Sequence, residues 1–243
     1  MYNYFLLLLL GHILGDFYFQ SDRLSKEKDE KLAGVWKHSA VYTIGMLIVA
    51  GLFFHVDMLV SVLGASALHC IIDLCKYCYI RSHKKINTWK VFLVDQIIHV
   101  ATLLAISYVM EYVNSAIGYG VTNFLFGTKT WLAVKWIIAL LLIFKPSFIL
   151  TQVFLAEFKP YEKAEPISFA KDKKAGGHIG NLERLIMLIF LSQGQYTAIG
   201  FILTAKSIAR YERITKDREF AEYYLLGTLI SAVCVIIISF LVK

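Results

Sequence analysis

The sequence predicts an all-α fold: a polytopic transmembrane helical bundle of about six to seven hydrophobic segments. Hydrophobic residues make up 58% of the chain and charged residues only 18%, with a mean hydropathy of +0.60, which is more apolar surface than a water-soluble core absorbs. The polar residues fall into short blocks, and the apolar runs between them reach the roughly 20 residues that a helix needs to cross about 30 Å of hydrocarbon. Lysine and arginine concentrate in those blocks, as the positive-inside rule requires of cytoplasmic loops.

The runs fall at about 2–20, 38–56, 58–78, 91–111, 131–156, 182–206 and 220–242. The first lacks a basic leader and a small-residue cleavage site and continues into His12 and Asp16, so it reads as a retained helix. The polar blocks at 21–37, 76–90 and 157–180 are expected in the cytoplasm. The first carries Arg23, Lys26, Lys28, Lys31 and Lys37, and the second Lys76, Arg81, Lys84, Lys85 and Lys90. Residues 157–180 hold Lys159, Lys163, Lys171, Lys173 and Lys174. This places the N-terminus outside and makes 1–243 one integral membrane domain. In the sixth run, Ser192-Gln193-Gly194-Gln195 interrupts the apolar sequence while Lys206, Arg210, Arg213, Lys216 and Arg218 follow it. A re-entrant hairpin over 182–206 would return those basic residues to the cytoplasm, whereas a plain span would leave them outside; irregular backbone at such depth needs surrounding protein or a water-filled cavity.

Composition also excludes some functions. The net charge of +7 lies in loops flanking apolar runs, which explains it without nucleic acid. Cys70, Cys75, Cys78 and Cys234 sit in or at the ends of apolar runs, and Cys75-x-x-Cys78 lacks the second pair of a structural zinc site.

Three runs carry a histidine and an aspartate four residues apart, hence on one helix face: His12 and Asp16, His69 and Asp73, Asp95 and His99. The order inverts in the fourth run, which travels the opposite way through the membrane. All three aspartates are therefore expected at one depth near the cytoplasmic end, with the three histidines a turn deeper. An aspartate at the centre of a spanning helix costs about 2.5–3.5 kcal/mol, less near the interface, so something must offset three of them. One explanation is a divalent cation, zinc- or manganese-like, bound as helix bundles bind metals through inward-facing carboxylates and imidazoles. The other is a structural polar network in which each aspartate accepts a hydrogen bond from a histidine or from Lys37, Lys76 or Lys90. His38, at the start of the second run, is a further candidate ligand, separated from His12 as Asp95 is from His69. Gln20 and Gln96 are placed to orient ligands or water, and Gly11-x-x-x-Gly15 allows a second helix close to His12.

In the last third, Gly176-Gly177-His178-Ile179-Gly180-Asn181 reads as a flexible entry to a helix that opens near Glu183. Glu183 and Asp95 are the candidate acid/base groups. Lys206 and Arg210, four apart, and Arg184 are candidates for binding a phosphate or lipid headgroup.

Together, His12-x-x-Gly15-Asp16-Phe17 with Gln20, His69-x-x-x-Asp73, Asp95-Gln96-x-x-His99, Ile179-Gly180-x-Leu182-Glu183-Arg184, Ala205-Lys206-Ser207-x-x-Arg210 and Glu222-Tyr223-x-Leu225-x-Gly227-Thr228 resemble the uncharacterised bacterial membrane proteins grouped as domain of unknown function 3307. The resemblance runs over almost the whole chain and implies a bacterial cytoplasmic (inner) membrane, multi-pass, but no known reaction. His178 stands where that family commonly carries a basic residue, so no role is carried over to it.

The expected function is a membrane-embedded, metal-dependent hydrolase acting on a lipid or other amphipathic substrate at the cytoplasmic leaflet. A cation- or proton-coupled transporter would use the same cluster as an ion site, but the outer halves of the first four runs are almost wholly apolar, and only Gly118, Gly120 and Asn123 mark the outward connection. A non-catalytic interaction or regulatory protein with a structural polar core is the third class.

Overall fold

A computed structural model describes residues 2–52, 56–83, 86–117, 128–158 and 169–243. Lys84, Lys85, Gly118, Gly120, Asn123, Lys159 and Lys163, named above, lie outside the described residues. Among the described residues the secondary structure is helical, without strands. Five helical stretches are long and apolar enough to cross a membrane: Leu32–Gly51, Met58–Ser82, Thr88–Val113, Thr130–Phe158 and Arg218–Val242. Two shorter apolar helices, Asn3–Tyr18 and Tyr196–Ile208, accompany them. Outward-facing Ile44, Val60, Ile97 and Ile237 are each more than half exposed, as apolar side chains on a lipid-facing surface would be.

Close backbone contacts divide the chain into two compact units, Met1–Ile138 and Ala139–Lys243. The first begins with α1 (Tyr2–Ile13), which runs into a π-helical turn, Leu14–Tyr18. It continues with α2 (Asp22–Glu30), α3 (Leu32–Leu52), α4 (Val56–Ser82), α5 (Thr88–Ile117) and the first part of α6 (Thr128–Phe144). Helix α1 packs on α3, α3 on α4, α4 on α5 and α5 back on α1, a closed ring of four, while α2 lies against α3 and α4.

Glycine sets the closeness of that ring. A Cβ on Gly11 would come 2.5 Å from Met46 Sδ, and one on Gly15 would come 3.2 Å from both the Cα and the carbonyl oxygen of Tyr42. On the facing helix, a Cβ on Gly45 would lie 3.1 Å from Gly15 Cα, so the two backbones touch where these glycines meet. The π-turn follows directly, closed by Phe19 N–H donating to Leu14 O at 2.8 Å; its extra residue per turn re-aims the buried Asp16.

The polar blocks are shorter than the sequence suggests. Ser21 caps α2 by accepting from Leu24 N–H at 3.2 Å, and α3 already opens at Leu32, so 21–37 is two helices and a corner. His38 accordingly lies inside α3, more than a turn from its start. Lysine and glutamate are good helix formers, and polarity alone does not end a helix. At the corner, a Cβ on Gly34 would collide with the backbone of Glu27 and Lys28; only glycine lets α2 fold this tightly against α3.

The second unit holds the end of α6, α7 (Pro146–Leu155) with a 3₁₀ turn at Ala156–Phe158, α8 (Phe169–Ser192), α9 (Tyr196–Ile208), α10 (Tyr211–Lys216) and α11 (Arg218–Val242). The apolar run 131–156 is interrupted at Lys145, where Pro146 takes the first position of α7 because it lacks the N–H that would continue α6. Helix α11 packs on α7 and α8, and α9 on α8. The run 182–206 is a helical hairpin: α8 ends at Ser192, Gly194 adopts φ 74°, and α9 returns antiparallel, so that Lys206 Nζ meets Glu183 Oε2 at 2.6 Å. Helix α8 starts well before the expected entry, with Gly176, Gly177 and Gly180 inside it and Glu183 in its interior. Glycine weakens a helix without forbidding it, and Gly177 packs against the Phe148 ring.

Candidate metal centre

The four ring helices each repeat a polar, polar or aromatic, then apolar residue at four-residue spacing, and the repeats align. Asp16, His12 and Leu8 descend α1 and its π-turn; Asp73, His69 and Ala65 descend α4; Asp95, His99 and Leu103 descend α5; His38, Tyr42 and Met46 descend α3. All twelve are buried, and His38, Met46 and Leu8 are fully enclosed. Antiparallel neighbours place corresponding residues at one level, so the expected layers of aspartate and histidine are present, with a packed apolar layer below them.

In the acid layer, His38 Nε2 lies 3.1 Å from Asp16 Oδ1 and 3.3 Å from Asp73 Oδ2. The next layer connects upward through His69 Nε2, 3.8 Å from Asp16 Oδ1, and His69 Nδ1, 3.7 Å from Asp73 Oδ2. His99 Nε2 sits 3.4 Å from Asp95 Oδ1 and 3.7 Å from Asp73 Oδ1. The imidazoles of His69 and His99 stack with centroids 4.2 Å apart, and Tyr42 stacks on the other side of His69 at 3.6 Å. Tyr42 also sets its hydroxyl 3.3 Å from His12 Nδ1.

Most of these polar atoms have no good hydrogen bond. Both nitrogens of His69, both carboxylate oxygens of Asp73, His12 Nε2, His38 Nδ1, Asp95 Oδ1 and His99 Nε2 are buried without one. These atoms meet charged or polar partners only in long contacts of 3.3–3.8 Å, looser than the aligned hydrogen bonds of about 2.7–3.2 Å that a well-made structural network has. The donor set suits a divalent cation: His12, Asp16 and His69; His38, His69 and Asp73; and Asp73, Asp95 and His99 each present ligand atoms within 4.8 Å of one another.

Two lysines cover the acid layer. Lys76 Nζ pairs with Asp95 Oδ2 at 3.3 Å, as one of the three lysines considered from sequence. Lys37 instead pairs with Glu27 at 2.7 Å, a hydrogen bond that holds the Glu27 carboxyl below its usual range, and Lys90 lies over the Trp89 ring. The other cover is Lys28, whose Nζ is 3.4 Å from Asp16 Oδ1, 3.6 Å from Asp73 Oδ2 and 3.4 Å from His38 Nε2. Burial opposes the charge on Lys28, but Asp16, Asp73 and Asp95 outweigh it and hold its pKa above the ordinary lysine value. Nothing in its basic block sets Lys28 apart from its neighbours; the Gly34 corner selects it. Tyr42, likewise missed from sequence, carries a faint signal in its four-residue offset from His38.

Gln96 and Gln20 have distinct parts. Gln96 Nε2 donates to Asp16 Oδ2 at 3.0 Å and to Asp95 Oδ2 at 3.4 Å, tying acids of two helices together. Gln20, with its amide turned to satisfy both neighbours, donates to the carbonyl of Asp16 at 2.7 Å and accepts from Ser25 N–H at 3.2 Å, which anchors α2 to the π-turn rather than a carboxylate.

The remaining candidates belong to the second unit. Glu183 pairs with Lys206 across the hairpin. Arg184 is buried, donating to Ile143 O and Ser231 Oγ at 3.1 Å each and to Asn181 Oδ1. Arg210 lies in the turn after α9 and takes the N-cap position of α10.

A family model described as a protein of unknown function, DUF3307, matches residues 4–125, just over half of the chain. The match contains every residue of the His/Asp cluster; the motifs from Ile179 to Thr228 lie beyond it. No curated protein and no solved structure matches the chain.

Proposed function

The chain belongs to the DUF3307 family, and from that premise we propose that it is a membrane-embedded, metal-dependent hydrolase acting on a lipid or other amphipathic substrate at the cytoplasmic leaflet. The observation that carries this reading is the set of buried histidine and aspartate atoms, without good hydrogen bonds, brought within ligand distance of one another inside a ring of apolar helices. A divalent cation bound there would supply Lewis acidity and lower the pKa of a coordinated water towards neutrality. Asp95 is the proposed base, with Gln96 fixing its carboxylate. In the second unit, Glu183 is the second proposed acid/base, and Lys206 and Arg210 are the proposed headgroup-binding cations; Arg184, buried with its guanidinium donating to Ile143, Ser231 and Asn181, is placed to hold the helices together instead. In this reading residues 1–243, with both compact units, make one integral membrane domain in a bacterial cytoplasmic membrane, its N-terminus outside and its basic segments in the cytoplasm.

Hydrolysis is favoured over transport by the layer of Leu8, Met46, Ala65 and Leu103 directly beneath the histidines, because an ion pathway needs polar groups to continue there. Detergent-purified protein prepared without chelator should contain stoichiometric divalent metal, and His69→Ala and Asp95→Ala should each contain less of it. In phospholipid mixed micelles the wild type should release headgroups in a chelator-sensitive way. Metal-free wild type, or cation uptake into proteoliposomes without hydrolysis, overturns the reading.

A further inference from the structure

The three ligand groups share residues unequally. The group of His12, Asp16 and His69 has His69 in common with the group of His38, His69 and Asp73, which in turn has Asp73 in common with the group of Asp73, Asp95 and His99. The first and last groups share nothing. Between them they use all six members of the three His/Asp pairs, and they divide the pair on α4, sending His69 to one side and Asp73 to the other.

We propose that the cluster binds two divalent cations at non-equivalent positions, one held by His12, Asp16 and His69 and the other by Asp73, Asp95 and His99, with His38 between them. This rests on the metal-dependent reading above. His38 Nε2 is placed for the intermediate position by its contacts with one carboxylate of each group, 3.1 Å to Asp16 and 3.3 Å to Asp73. The ammonium of Lys28 contacts the same two oxygens, so a positive charge already lies where the groups adjoin. Donor atoms around a zinc-sized ion lie about 3–4 Å apart, so ligand atoms within 4.8 Å need only small side-chain movements to close on one.

The two positions differ in chemistry. The first has two imidazoles and one carboxylate, the second two carboxylates and one imidazole. The nitrogen-rich position suits zinc and its neighbours, whereas the oxygen-rich one suits harder ions such as manganese or magnesium. With three protein ligands each, both leave coordination sites for water or substrate.

The test is a metal count on the full-length, detergent-purified protein loaded with zinc and freed of excess, beside Mn²⁺ electron paramagnetic resonance. The wild type should hold two ions per chain and His12→Gln and Asp95→Asn one each, with helical circular dichroism and monodisperse elution confirming their fold. Manganese-loaded wild type should give a signal broadened by the nearby second Mn²⁺, independent of any variant. One ion per chain with an isolated six-line signal overturns the two-cation arrangement and leaves the hydrolase reading standing. No ion at all overturns both. Two ions in the wild type with both lost, or both kept, in each folded variant overturns the division into separate groups.

Discussion

Replacing Lys28 by methionine keeps most of the side-chain volume and removes an ammonium that touches Asp16, His38 and Asp73 together. At an effective dielectric of about 20, a unit charge 3.4 and 3.6 Å from two carboxylates gains roughly 4–5 kcal/mol from each before dehydration opposes it. Breaking a buried ion pair by deleting one partner typically costs about 3–5 kcal/mol, because the remaining charge is stranded. Metal-free Lys28→Met should therefore be less stable than wild type by about that amount. A bound cation reverses the sign. The wild type must give up the Lys28 contacts to load the site, whereas the variant has nothing to displace, so its metal affinity should rise; a difference of about 3 kcal/mol corresponds to roughly a hundredfold in Kd. Thermal melts with and without chelator, and zinc titration against a competing chelator, read the two halves. Equal melting temperatures in chelator, or metal binding no tighter than wild type, would refute the idea that Lys28 stands in for a cation.

Gly15→Ala tests the helix contact that assembles the centre. Its Cβ would meet backbone atoms of Tyr42 at 3.2 Å, so α3 must move away; a loss of about 1–3 kcal/mol and weaker metal retention are expected, and a variant with wild-type stability and metal content contradicts the packing argument. The hairpin makes a topological prediction. Thr215, exposed on α10, should when changed to cysteine be labelled by an impermeant reagent only from the cytoplasmic side if α8 and α9 re-enter, and labelling from the outer side alone argues for a plain span.

Much of the centre was legible in the linear order of residues. A four-residue His/Asp spacing fixes a shared face wherever a helix forms, and reversing that spacing between consecutive spans aligns like residues in depth for any antiparallel pair. These are local helical periodicities combined with chain direction, and they hold whichever helices become neighbours. His38 was legible only in part, because its value depends on α3 beginning at Leu32 and passing within contact of α1.

Lys28 and the division of the α4 pair depended on tertiary structure alone, and Tyr42 depended on it almost entirely. Lys28 is one of several basic residues in a polar block, and it reaches the acids only because Gly34 lets α2 fold back on α3. The hairpin shows the same limit: Gly194 was visible as an interruption, but the meeting of Glu183 with Lys206 required the return of α9 along α8. The sequence by itself determined the membrane-like helical class and the layered acid and imidazole pairs, since burial period and helix direction are written along the chain. The tertiary structure decided which pairs face one another and which lysine covers them, because both depend on how closely two backbones approach where glycine removes the Cβ.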